Sequence, residues 1–222
     1  MISEIKMENI LSPSILSCDF ADAGNDIKAC DKAGAKYIHV DVMDGDFVPA
    51  ISFGQVVVKS LRKTTDRVFD VHLMISEPVR YIEEFADCGS DIITVHLEAC
   101  SDVRATLNKI RECGKKAGLS IKPNTPVESL RPYLELCDMI LIMSVEPGFG
   151  GQKYIPSSTE KIALTKKLIE ESGLDIDLEV DGGINLDNVK EVMDAGANVI
   201  VAGSAVFKGD ITNNVKAFLD IM

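Results

Sequence analysis

No apolar run in this 222-residue sequence approaches the roughly 20 residues a membrane-spanning helix needs; the longest, around Met139 to Met143, has the length of a strand. The opening Met1-Ile2-Ser3-Glu4-Ile5-Lys6 has neither the basic start nor the long apolar core of a secretion signal, so none is expected there. Basic side chains are in the minority, 23 against 35 acidic ones, for a net charge of −12. That balance disfavours attraction to a phosphate backbone, and nucleic acid is not an expected partner. The six cysteines, Cys18, Cys30, Cys88, Cys100, Cys113 and Cys137, form no CxxC pair. A domain of this length needs no disulfide staples, so reduced thiols in a cytoplasmic protein are expected. No Ser/Gly-rich linker or shift of composition divides the chain. We therefore expect one domain over residues 1–222, with residues 1–10 as an N-terminal arm. A hydrophobic content of 46% and a charged content of 26% exclude disorder.

What is present is a recurring local pattern. Ala33-Gly34-Ala35-Lys36-Tyr37-Ile38-His39-Val40-Asp41 is echoed by Cys88-Gly89-Ser90-Asp91-Ile92-Ile93-Thr94-Val95-His96 and again by Ala195-Gly196-Ala197-Asn198-Val199-Ile200-Val201-Ala202-Gly203. In each, an amphipathic stretch ends at a glycine suited to a helix C-cap, and a β-branched run follows that can be buried on both faces. Gly118 before Leu119-Ser120-Ile121 reads as a weaker version. The pattern predicts about eight strands, near 11–16, 36–41, 67–72, 91–96, 118–122, 138–142, 176–181 and 198–202. Helical patterns separate them, among them Ser101–Ala117 with Ser101 as N-cap, and segments near 156–172 and 186–195. Eight alternating β/α units in this length point to a single α/β domain, a (β/α)8 TIM barrel, ahead of a doubly wound open sheet.

A barrel carries its chemistry at the C-terminal ends of its strands. The three histidines of the chain, His39, His72 and His96, all fall at or near such ends. So do Asp41 and Asp181. His39 and Asp41 are two apart and share one strand face. With His72 and Asp181 they make an N/O ligand set suited to Zn2+, Fe2+, Mn2+ or Co2+. Glycine-rich segments follow the late strands: Gly148-Phe149-Gly150-Gly151, Gly182-Gly183, and Gly203-Ser204 at the start of a final helical turn. Backbone N–H groups there can approach a phosphate, which reconciles an acidic protein with an anionic ligand. Met43, Met74 and Met143 lie just beyond strand ends and read equally as core filler or as lining of a site. Ser14 reads equally as a buried serine or as a substrate contact.

With these residues in view, the sequence resembles the ribulose-phosphate 3-epimerase family from about Leu11 to Gly209. The resemblance is carried by Ser12-Pro13-Ser14-Ile15-Leu16-Ser17, His39-Val40-Asp41-Val42-Met43-Asp44-Gly45 and Asp70-Val71-His72-Leu73-Met74. Pro147-Gly148-Phe149-Gly150-Gly151-Gln152, Val180-Asp181-Gly182-Gly183-Ile184 and Val201-Ala202-Gly203-Ser204-Ala205 complete it. It implies a (β/α)8 isomerase of the pentose phosphate pathway that interconverts ribulose 5-phosphate and xylulose 5-phosphate at one divalent metal cation. It makes His39, Asp41, His72 and Asp181 metal ligands, and Asp41 and Asp181 the acid/base pair. Ser14, His72 and Asp181 would touch the substrate, while Gly148, Phe149, Gly150, Gly151, Gly182, Gly183, Gly203 and Ser204 would form the phosphate end. Where many relatives read His-Phe-Val-Pro-Asn, this chain has Asp46-Phe47-Val48-Pro49-Ala50, which alters the rim of the mouth and spares every matched position. A homo-oligomer is expected.

Epimerisation at C3 beside a C2 ketone requires a carbon-bound proton to leave one face and another to arrive on the opposite face, through an enediolate. Two opposed acid/base groups are the simplest arrangement, and Ser144–Ile155 is a candidate lid over the intermediate. The alternative within enzymes is 3-epimerisation of a six-carbon ketose phosphate such as allulose 6-phosphate by the same apparatus. A phosphosugar-acid decarboxylase would need a lysine beside the acid, and His39-Val40-Asp41 offers none. Binding alone would not need opposed carboxylates with imidazoles.

Overall fold

The computed structural model describes residues 8–222. Eight parallel strands, β1 (Ile10–Pro13), β2 (Tyr37–Met43), β3 (Val68–Met74), β4 (Ile92–His96), β5 (Lys116–Ile121), β6 (Met139–Met143), β7 (Asp177–Asp181) and β8 (Val199–Ala202), pair in the order β1-β8-β7-β6-β5-β4-β3-β2. The remaining seam, between β1 and β2, is bridged where Ser14 meets His39. The result is the expected (β/α)8 barrel. Of the arm expected over 1–10, residues 1–7 lie outside the described residues, and Ile10 already belongs to β1.

The outer ring is built from α1 (Ala23–Ala33), α2 (Gln55–Leu61), α3 (Ile82–Asp87), α4 (Val103–Glu112), α5 (Ser157–Ser172), α6 (Val189–Asp194), α7 (Ser204–Phe207) and α8 (Ile211–Ile221). Between β5 and β6 there is no α-helix; a 3-10 helix, Val127–Leu136, takes its place. Pro126 precedes it and Pro132 lies within it, and a proline in a helix interior supplies no N–H and crowds the preceding turn. Outward-facing residues of the strands and inward-facing residues of the helices make the main core, with Ile38, Val40, Phe69, Val71, Leu119, Ile140, Val180 and Ile200 fully buried. Burial on both strand faces is why these segments read as continuous apolar runs.

Two local readings are corrected. The helix expected over Ser101–Ala117 is shorter, because Asp102 and not Ser101 caps it: the Asp102 carboxylate accepts from the Ala105 N–H at 2.9 Å, while Ser101 donates to Glu77. The chain then leaves the helix at Gly114, with φ +72°, and Gly118 lies inside β5. A Cβ on Gly118 would stand 2.1 Å from Thr94 Oγ1, so this glycine lets β4 and β5 close the barrel interior.

Candidate active site

Period-two alternation sends His39 and Asp41 of β2, Asp70 and His72 of β3, Thr94 and His96 of β4, and Glu179 and Asp181 of β7 into the barrel. Register then sets their heights: Asp41 pairs with His72, and His39 with Asp70. At the C-terminal mouth a cavity of about 320 Å3 is lined by Ser14, Asp41, Asp181 and Met43, Met74 and Met143. The glycine segments line its other side: Gly148, Phe149, Gly150, Gly151, Gly182, Gly183, Gly203 and Ser204. The three methionines are thus walls of the site at strand ends. His39 and His72 are fully buried behind Asp41 and do not line the cavity, so the structure does not bring His72 to its surface.

One ligating atom from each of His39, Asp41, His72 and Asp181 lies within 4.8 Å of the others. Asp41 is the hub. His39 Nε2 approaches Asp41 Oδ1 at 3.2 Å and His72 Nδ1 approaches the same oxygen at 3.0 Å, while Ser14 Oγ donates to Asp41 Oδ2 at 2.6 Å. On its far side His39 Nδ1 is 2.7 Å from Asp70 Oδ2, and because a carboxylate only accepts, that nitrogen carries the proton. In its neutral form His39 therefore presents a bare Nε2 toward Asp41. With their hydrogens displaced, two imidazole nitrogens and two carboxylates facing one point are a donor set that fits a divalent cation. A metal ion could be held there. One layer deeper, His39, Asp70 and Glu179 form a second buried group of ligating types that shares His39.

The two cavity-facing carboxylates differ in charge. Burial drives Asp41 upward, but the His39 charge and hydrogen bonds from both imidazoles outweigh it and hold Asp41 well below the usual carboxylate range. Asp181 has no such donors, and its desolvation together with the nearby Asp41 carboxylate pushes it up to about 7. Burial disfavours a charged His39, yet Asp41 and Asp70 raise it well above the usual histidine value, so without a cation a proton takes its place. Desolvation lowers His72, and lowers His96 to about 4, so both are neutral. In the deeper layer, desolvation and then Asp70 push Glu179 well up; it stands neutral beside the anionic Asp70.

The glycine segments of the cavity are shaped by backbone contacts. At Gly183, φ is +69° and a Cβ would lie 2.3 Å from the Tyr154 N; at Gly182, φ is +124° and a Cβ would lie 2.5 Å from Val145 Cγ2. Ser144 Oγ donates to the carbonyls of Asp181, 2.9 Å, and Gly182, 2.7 Å, tying the loop after β6 to the end of β7. The ends of Ser144–Ile155 are joined, Ile155 N–H donating to Ser144 O at 2.9 Å, and Phe149 at its tip is 60% exposed. On the opposite rim, Asp44 organises the altered segment. Its Oδ1 accepts from the N–H groups of Asp46 and Phe47, both at 2.9 Å, and its Oδ2 from Ser76 N–H at 2.8 Å.

Sequence reasoning missed Ser17, Val145, Asn185 and Lys208, which also line the cavity, and the layer of Asp70 and Glu179 beneath it. The signal for that layer was available: Asp70 and Glu179 stand two residues before His72 and Asp181, as His39 does before Asp41. Nothing local marks Lys208, which reaches the cavity from the end of α7.

Comparison with known proteins gives the same assignment along most of the chain. The family model described as "Ribulose-phosphate 3 epimerase family" matches residues 10–207. The chain is 54% identical over 200 residues to the ribulose-phosphate 3-epimerase of Synechocystis sp., covering 89% of this chain and 87% of that protein. It is 50% identical over 198 residues to that of Bacillus subtilis, covering 89% and 91%. Among solved structures, KGPDC from Streptococcus mutans superposes with a TM-score of 0.71 at 16% identity, over 97% of each chain, a likeness of fold alone. No helix among the described residues is long and apolar enough to cross a membrane.

Proposed function

The chain belongs to the ribulose-phosphate 3-epimerase family, and from that premise we propose that it interconverts D-ribulose 5-phosphate and D-xylulose 5-phosphate by proton transfer at C3 between Asp41 and Asp181. The observation that carries the reading is the inequality of the two carboxylates at one cavity: Asp41 is held ionised and Asp181 is pushed to about 7. Near neutral pH one can remove a proton while the other holds one to give back, as a two-base epimerisation requires. Ser14 orients Asp41 through its Oδ2, which keeps the carboxylate plane fixed during transfer. His39, Asp41, His72 and Asp181 would hold the divalent cation, whose Lewis acidity stabilises negative charge developing on the substrate oxygens.

In this reading the backbone N–H groups of Gly148–Gly151, Gly182, Gly183, Gly203 and Ser204 bind the phosphate, with Phe149 over it, and so place C3 between the carboxylates. Met43, Met74 and Met143 exclude water from the reacting face. Closure of Ser144–Ile155 would protect the enediolate from phosphate elimination, a role its tied ends and exposed tip support. The six cysteines are free, which supports a reducing, cytoplasmic setting. Phe20 and Phe53 pack as a tilted pair with ring centroids 5.2 Å apart, and Phe20, Ile51 and Val56 are exposed large apolar side chains, which supports a homo-oligomer that light scattering would detect.

The test is incubation with ribulose 5-phosphate in deuterated water, with allulose 6-phosphate assayed alongside. Solvent deuterium at C3 of xylulose 5-phosphate, lost on chelation and restored by a divalent ion, is the expected result. Binding without exchange would overturn the reading, and faster turnover of the six-carbon sugar would replace the substrate.

A further inference from the structure

His96 has no part in the proton transfer, yet it is fully buried against the site. Its Nε2 lies 2.9 Å from His72 Nε2, with ring centroids 5.0 Å apart. Between two facing imidazole nitrogens, one holds the hydrogen and the other accepts it. The far side of His96 settles which. His96 Nδ1 lies 3.3 Å from Glu98 Oε2, and the other Glu98 oxygen already accepts from the Lys122 N–H, at 2.8 Å, and from the Thr125 hydroxyl. A carboxylate so surrounded by donors is an acceptor only, so His96 carries its hydrogen on Nδ1 and offers a lone pair at Nε2. Where a cation takes the His72 Nδ1 lone pair, His72 carries its hydrogen on Nε2 and His96 accepts it.

We propose that His96 and Glu98 are positioning residues that lock His72 in the Nε2–H tautomer and aim its Nδ1 lone pair at the point shared by His39, Asp41 and Asp181. The inference rests on the reading of that point as a cation site. Its physical sense is that of a metal-ligating histidine whose outer nitrogen is fixed by a hydrogen-bond partner. Here the partner is a second histidine, and the anion that sets the direction stands one residue further out. Without a cation His72 Nδ1–H would donate to Asp41 Oδ1 at 3.0 Å; a cation between them takes both lone pairs and leaves the His72 hydrogen on Nε2. His39 is fixed in mirror fashion, with Nδ1–H on Asp70 and Nε2 inward.

The chain has only three histidines, so their ring nitrogens are assignable by 15N NMR in the Zn2+-loaded protein. The expected spectrum shows neutral His72 protonated on Nε2 and neutral His96 on Nδ1; His96 protonated on Nε2 overturns the proposal. Zn2+ affinity, read by chelator competition, and the Co2+ absorption spectrum supply the second arm. His96→Leu should weaken Zn2+ binding about 10- to 100-fold and alter the Co2+ bands, while His96→Gln, whose carbonyl can still accept from His72, restores most of the affinity. Equal affinity and an unchanged spectrum in His96→Leu would overturn the proposal. If wild type binds neither ion, the cation reading falls and the proposal with it, whereas binding that His96→Leu leaves unchanged overturns the proposal alone. If His96→Leu fails to fold, the wild-type spectrum decides.

Discussion

Ser14 Oγ donates to Asp41 Oδ2 at 2.6 Å across the one seam of the barrel that a single bridge closes. The residue that follows β1 thereby sets the orientation of a carboxylate on β2. Hydrogen bonds to a charged group contribute about 1.5–3 kcal/mol, and this one favours the ionised form. Ser14→Ala should therefore raise the Asp41 pKa and lower kcat, and the acidic limb of the kcat/KM profile should move to higher pH. An unchanged limb would remove Ser14 from the machinery.

Replacing either carboxylate with an amide removes its proton chemistry and preserves its shape. Asp41→Asn and Asp181→Asn should each lower turnover by about 10^2- to 10^4-fold or more. Deuterium wash-in at C3, measured from each epimer separately, distinguishes them. A variant lacking one base should still exchange the proton of the epimer whose C3 hydrogen faces the surviving carboxylate. Full activity in either variant contradicts its assignment.

A cation at the cluster competes with protons. Asp181 is pushed to about 7 by desolvation and by Asp41, and His39 is raised well above its usual value by Asp41 and Asp70 against burial. Both must give up a proton to a metal, so affinity should rise with pH and fall as pH drops below about 7. Competition titrations in weakly buffered solution should register the released protons directly. PH-independent affinity would argue that the cluster is not the binding site.

Glu179 is raised, through desolvation and Asp70, so the folded chain holds a proton there that the unfolded chain releases above its ordinary carboxylate range. The folded state then binds more protons than the unfolded one, and stability falls as pH rises from that range toward the folded value. Glu179→Gln keeps a donor toward Asp70 and removes the titration. The metal-free variant should be more stable than wild type at neutral pH and equal to it in acid, by urea denaturation at several pH values.

At Gly183 an alanine meets both a positive φ of +69° and the Tyr154 N at 2.3 Å, so the loop after β6 must move. Gly183→Ala should raise KM for ribulose 5-phosphate about tenfold, equivalent to ~1.4 kcal/mol of binding, with a smaller effect on kcat. A change in kcat alone would place the phosphate elsewhere.

The sequence by itself determined the strands and their count, because burial on both faces of a parallel sheet demands continuous apolar runs, and glycines such as Gly34 and Gly196 mark where each helix stops. It also determined which face His39 and Asp41 share, since alternation along a strand is a local property. Exact helix ends were less legible: Ser101 and Asp102 are both capable caps, and the choice turned on Glu77, which occupies Ser101 from another loop. Gly118 looked like a cap and proved to be a point of interior closure, because the Thr94 side chain that excludes a Cβ belongs to a different strand. Only the tertiary structure decided heights and pairings. The registers that set Asp41 level with His72 and brought His96 against His72 arise between strands, and the unequal charges of Asp41 and Asp181 follow from which neighbours those registers supply. Local periodicity fixes a side chain's direction, but its protonation depends on groups the chain brings near only when the barrel closes.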